Sequence, residues 1–112
     1  ALDHNVPLPI VVRAMSETPA RLFGLAHRKG SLAPGVDADI ILVDPKARQK
    51  VDFKKHSPNV CPSPLEGESL AGWPLITISR GEVVWRDGQV TGAAGRGDVV
   101  LQKGTQIVDL DM

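Results

Sequence analysis

Apolar positions change their spacing about a third of the way along the chain, from a helical recurrence to near-continuous runs broken by turns. Ile10, Val11, Ala14 and Met15 recur at i, i+1, i+4 and i+5, which predicts a short helix with that face buried and Arg13 outside. Before it, Asn5, Pro7 and Pro9 make residues 1–9 a connecting loop. Thr18 followed by Pro19 reads as an N-cap with proline at the first helical position, opening a second short helix. That helix is expected to turn Ala20, Leu22 and Phe23 inward and to stop at Gly24.

Two turn signals follow, Arg28-Lys29-Gly30 and Pro34-Gly35, bracketing Ser31-Leu32-Ala33 as a short extended piece. Ala38 to Val43 is apolar apart from Asp39, the pattern of a strand covered on both faces, and Asp44-Pro45 is expected to end it. Lys46 to Lys55 carries five basic residues against one acidic and reads as a solvated edge or loop. Pro58, Pro62 and Pro64 exclude an internal sheet ladder and predict an irregular surface loop around Cys61. Leu75–Ser79 and Glu82–Arg86 flank Arg80-Gly81, a hairpin signal, and Asp87-Gly88 leads on to Gln89-Val90 as the third strand of a meander. Beyond that, Gly92, Gly95 and Gly97 punctuate a loop, Val99 to Leu101 could pair briefly, and Gln106 to Met112 is a terminal tail.

At 112 residues the chain is long enough for one domain and too short for two. Thirteen basic residues against thirteen acidic give no field that would steer nucleic acid or an anionic membrane, so neither is an expected partner, while a small neutral or modestly polar ligand stays open. A single cysteine makes no internal disulfide, no apolar stretch approaches the ~18 residues of a membrane span, and no basic segment followed by an apolar one marks a secretory signal; cytoplasmic residence is the expectation. Aromatic residues are few, so a core must rest on Val, Ile and Leu, and nine prolines with eleven glycines imply many turns and a β-rich remainder.

Candidate chemistry is thin. His4, His27 and His56, with Cys61, share no metal-ligand spacing. Asp37 and Asp39 stand at a turn and strand entrance, where carboxylates more often cap backbone N–H groups than hold a metal or work as an acid/base couple. His27, beside Arg28 and Lys29, reads as a surface residue and Asp3-His4 as part of a loop. Cys61 is followed by Pro62, which offers no N–H for an oxyanion hole, and reads as an inert thiol. Arg96, between Gly95 and Gly97, lacks the preceding strand and following helix of a phosphate loop, and Trp73 and Trp85 read as core. No residue is assigned a catalytic, cofactor-binding or metal-ligating role.

The segments Thr18-Pro19-Ala20-Arg21-Leu22-Phe23-Gly24-Leu25, Arg28-Lys29-Gly30 and Gly35-Val36-Asp37-Ala38-Asp39-Ile40 together resemble the C-terminal region of the cyclic amidohydrolases, the hydantoinases and dihydropyrimidinases with their allantoinase and dihydroorotase relatives. Ser63-Pro64-Leu65-Glu66-Gly67, Gly72-Trp73-Pro74, Ile78 to Val84 and Gly95-Arg96-Gly97 extend the similarity over nearly the whole chain and tilt it toward hydantoinase and dihydropyrimidinase. The resemblance implies a mixed, β-rich segment: two short helices from the end of a (β/α)8 barrel, then the C-terminal half of a composite β-sandwich. It divides the chain into terminal barrel helices at 1–27, sandwich strands at 28–91, and a loop and tail at 92–112.

Catalysis in that family implies a pair of divalent ions, zinc by expectation, bridged by a carbamylated lysine, with every ligand upstream of Ala1; no metal ligand is carried onto this chain, and Asp37 and Asp39 keep a capping role. The implied function is the non-catalytic C-terminal portion of a metal-dependent hydrolase of hydantoins or dihydropyrimidines. The alternative is part of a dihydropyrimidinase-related scaffold without activity. The implied partners are the rest of the parent chain and further copies in a homo-oligomer, because half a sandwich alone exposes unpaired edges and an apolar face.

Overall fold

The computed structural model describes residues 5–52 and 64–104. Helical backbone runs from α1 (Leu8–Val12) through a π-helical turn (Arg13–Glu17) into α2 (Thr18–Leu22). A four-stranded antiparallel sheet follows, in the order β1 (Ile40–Lys50), β2 (Ser69–Ser79), β3 (Glu82–Arg86) and β4 (Gln89–Val90).

The helical part is one stretch with a widened middle, rather than two helices separated by a cap. Thr18 has α-helical dihedrals (φ −63°, ψ −48°) and its N–H donates five residues back to the Arg13 carbonyl, so it does not cap a new helix. Pro19 explains the widening: its ring lacks an N–H and crowds the carbonyl four residues before it, and a π turn relieves that clash without ending the helix. The N-terminus also differs from expectation, since Pro7 and Pro9 fit the first turn, where missing N–H groups cost nothing, and the helix begins at Leu8. The stop at Gly24 is as expected: the Gly24 N–H donates to Arg21 O at 3.1 Å and the Leu25 N–H to Ala20 O at 2.7 Å, satisfying two orphan carbonyls.

Of the three positions expected to face inward, Ala20 alone is turned fully inward, at 6% exposure, while Leu22 and Phe23 lie outside at 76% and 64%. The reason is the approach of Gly30. A Cβ on Gly30, whose φ is +86°, would stand 2.5 Å from the Ala20 Cβ and 2.9 Å from Ser16 O, so the turn sits directly on the helix and leaves no room for larger side chains.

The hairpin forms as the sequence predicts, with Ser79 opposite Glu82 and both turn residues at positive φ, Arg80 at 49° and Gly81 at 80°. A second such turn, Asp87-Gly88, leads into β4 and completes the meander. β1 departs from expectation twice. It continues past Asp44-Pro45 to Lys50, because the register jumps between Asp44 and Arg48 and the proline falls in that bulge, where no ladder N–H is needed. The Asp44 carboxylate accepts the Lys46 N–H at 2.8 Å and stabilises the bulge. It is also not covered: Ile41, Leu42 and Val43 are all exposed although neighbours point to opposite faces. β2 begins six residues before the apolar run and takes in Gly72-Trp73-Pro74, with Leu75 bulged between Leu42 and Val43 of β1. Ser31–Ala33 and Val99–Leu101 form no strand.

Candidate functional site

Three segments that are distant in sequence meet at one cluster of charges. The helix stop throws the chain into a turn in which the Arg28 and Lys29 N–H groups both donate to Leu25 O at 2.9 Å. The chain then loops through Pro34-Gly35 and returns, so that the Asp37 N–H donates to Arg28 O at 2.9 Å. This places Arg28 and Lys29 opposite Asp37 and Asp39. The Arg28 guanidinium grips the Asp37 carboxylate in a fork, Nη2 to Oδ2 at 2.9 Å and Nε to Oδ1 at 3.3 Å. The Lys29 ammonium bridges both carboxylates, at 2.8 Å from Asp37 and in close contact with Asp39.

The second oxygen of Asp39 reaches the sheet, accepting the Arg80 N–H at 2.8 Å, and the Gly81 N–H donates to Ala38 O at 3.0 Å. Arg80 is a non-glycine residue at positive φ, a conformation that costs about 1–2 kcal/mol; the two hydrogen bonds that the Arg80 and Gly81 N–H groups donate to residues 39 and 38 hold the turn there. Behind it, Arg96 donates to Ser79 O at 2.8 Å and pairs with Glu82 at 3.2 Å, while the Arg80 side chain donates to Arg96 O and faces Asp98 at 3.5 Å. A shallow recess of about 220 Å³ opens between Lys29, Ser79, Arg80, Arg96 and Asp98.

These contacts decide what the carboxylates can do. Hydrogen bonds from Lys29, then Arg28, hold the Asp37 carboxyl below the usual carboxylate range, and Lys29 does the same for Asp39 with help from the Arg80 N–H. Bonding to the two carboxylates raises the Lys29 ammonium above its ordinary value. Carboxylates this weakly basic make poor proton acceptors and a lysine this firmly protonated makes a poor nucleophile. The position between the carboxylates, where a divalent cation would sit, is taken by the ammonium. Among the described residues, no three His, Cys, Asp or Glu side chains gather as a possible ligand set.

The capping role read from the sequence for Asp39 therefore stands, and Asp37 is an ion-pair partner rather than a cap. His27 is exposed, as expected, and Trp73 and Trp85 are half-buried in β2 and β3, with the Trp73 indole donating to Leu70 O at 2.7 Å. Asp3, His4, His56 and Cys61 lie outside the described residues. Sequence reasoning missed Arg28, Lys29, Arg80 and Arg96 as structural partners. The signal was present for the first two: a basic pair and an acidic pair nine to ten residues apart across a glycine turn are placed to meet.

Residues 2–84 match the model of the amidohydrolase family. The chain is 42% identical over 102 residues, 91% of its length, to a D-phenylhydantoinase of Escherichia coli O1:K1, and spans 22% of that relative. A D-hydantoinase crystal structure from Bacillus sp. AR9 superposes on 89% of the chain and 22% of its own, with 36% identity and a TM-score of 0.82. An L-hydantoinase (dihydropyrimidinase) from Arthrobacter aurescens covers 76% of the chain and 19% of its own, with 37% identity and a TM-score of 0.68. The chain thus spans about a fifth of the length of each of these relatives.

Proposed function

The chain belongs to the amidohydrolase family, and from that premise we propose that it is the non-catalytic C-terminal portion of a hydrolase that opens hydantoin or dihydropyrimidine rings. The observation that carries this reading is the pairing of high similarity along nearly the whole chain with coverage of only a fifth of each relative. The relatives named above are hydrolases, which favours a hydrolase parent over a scaffold. In this reading residues 1–27 supply terminal barrel helices, 28–91 the C-terminal strands of a β-sandwich, and 92–112 a loop and tail.

The exposed apolar side chains support a piece built to be covered. Leu8, Ile10, Val12, Met15, Leu22 and Phe23 lie bare on the helical stretch, as do Ile41, Leu42 and Val43 on the edge strand. The remainder of the parent, with further copies in a cytoplasmic homo-oligomer, is the cover this reading assigns. A divalent metal pair, zinc by preference, does not fit the residues described here, since the only close carboxylates are neutralised by Arg28 and Lys29. Its ligands belong to the rest of the parent, and the chain's own contribution is mechanical.

The test compares ring opening of hydantoin and dihydrouracil by the purified chain and by the intact parent, each with and without added zinc, following the N-carbamoyl product by chromatography. The chain alone should yield none and the parent should yield product. Ring opening by the chain alone overturns its non-catalytic role, and an inert parent overturns the hydrolase reading.

A further inference from the structure

The charged cluster does more than satisfy its own members, because it is where the helical stretch is tied to the sheet. The helix reaches the turn through the Ala20 and Gly30 contact, and the turn reaches the sheet through Lys29, Asp39 and the Arg80 N–H. We propose that Lys29, Asp37 and Asp39 form an ionic latch that fixes the β2–β3 turn to the end of the helix, with Lys29 and Asp39 as positioning residues for the Arg80 backbone. The arrangement is directional. Lys29 pulls one oxygen of Asp39 toward the helix-side turn, which leaves the other oxygen aimed at the Arg80 N–H. Arg28 fixes Asp37 by its fork, with Nη2 on the same Oδ2 that Lys29 contacts, so that oxygen stays in place as the second anchor of Lys29. The strained φ of Arg80 makes that turn a sensitive reporter, since its conformation depends on the acceptor that Asp39 provides. None of this requires that the parent hydrolyse anything, so the latch stands or falls separately from the proposed function.

Amide hydrogen exchange followed residue by residue in the 112-residue chain tests the latch. Lys29 has no hydrogen bond to Arg80, yet Lys29→Met should speed exchange of the Arg80 amide roughly tenfold, because Asp39 loses the charge that orients it. Lys29→Arg should restore most of the protection, and Lys46→Met, which removes an exposed lysine from the β1 bulge, should leave it unchanged. Asp39→Ala should abolish the protection, and Asp39→Asn should retain part of it because an amide oxygen still accepts. The amides of Ile76 and Ile78 serve as internal references for the sheet. The latch is overturned if Lys29→Met leaves Arg80 unaffected, if it accelerates the reference amides equally, or if the Arg80 amide is unprotected in the unaltered chain.

Discussion

The seam around residues 20–39 and the bare apolar faces of the same chain are built by opposite rules. At the seam small residues and charges are committed to each other: Gly30 lies on Ala20 with no space for a Cβ, and four charged side chains pair within one cluster. On the faces, large apolar side chains such as Ile41 and Phe23 are exposed, at 61% and 64%. The stability of this chain therefore lies at the seam. Its motif residues close internal joints, while many of its large hydrophobic side chains lie exposed outside them.

The comparison can be broken most severely at Gly30. Gly30→Val adds a branched side chain where even a Cβ collides with Ala20, at a φ that β-branched residues avoid, and should cost about 3 kcal/mol or more, enough to abolish a cooperative thermal transition in circular dichroism. Asp39→Ala removes the acceptor of the Arg80 N–H and one partner of Lys29, and should cost about 1 kcal/mol in urea denaturation, discounted for the partial exposure of the pair. Ile41→Thr on the open face should change the stability of the chain alone by less than about 0.5 kcal/mol, while lowering that of the intact parent by more; equal effects would erase the contrast.

The smallest effect is expected from pH between about 5 and 9, where the cluster keeps all its charges. Asp37 and Asp39 are held below their ordinary 3.8, so their contribution is complete above that value and is lost as the pH falls through the lower folded values. Lys29 is raised above 10.5, so its contribution persists up to that pH and is lost as the pH rises beyond it. Melting temperatures should be flat from about pH 5 to 9 and fall only below the ordinary carboxylate value of 3.8 and above the ordinary lysine value of 10.5; a step near neutrality would assign the seam's stability to other groups.

Much of this was legible in the sequence because local chemistry decided it. Two-residue turns at Arg80-Gly81 and Asp87-Gly88 mark a meander through their own residue types, and Gly24 stops a helix by its own backbone freedom. The misreadings came from reading proline and apolar runs in isolation. Pro19 suggested a new helix, yet a helix already formed can widen into a π turn around it, and Pro45 suggested a strand end, yet a bulge absorbs it. Ala38 to Val43 reads as a doubly covered strand because its run is apolar apart from Asp39, yet Ile41, Leu42 and Val43 are exposed within this chain. The charged cluster was half visible: capping by Asp39 follows from its place at a strand entrance, but the matching of Arg28 and Lys29 depends on how the loop of residues 30–36 folds back.

In the proposed parent, the apolar faces of this chain are covered by other parts of a larger protein. Size-exclusion chromatography with light scattering on the isolated chain, across a range of concentrations and with a hydrophobic dye added, measures this directly. Concentration-dependent association and strong dye binding are expected; a dilution-stable monomer that leaves the dye dark would show that these faces need no cover.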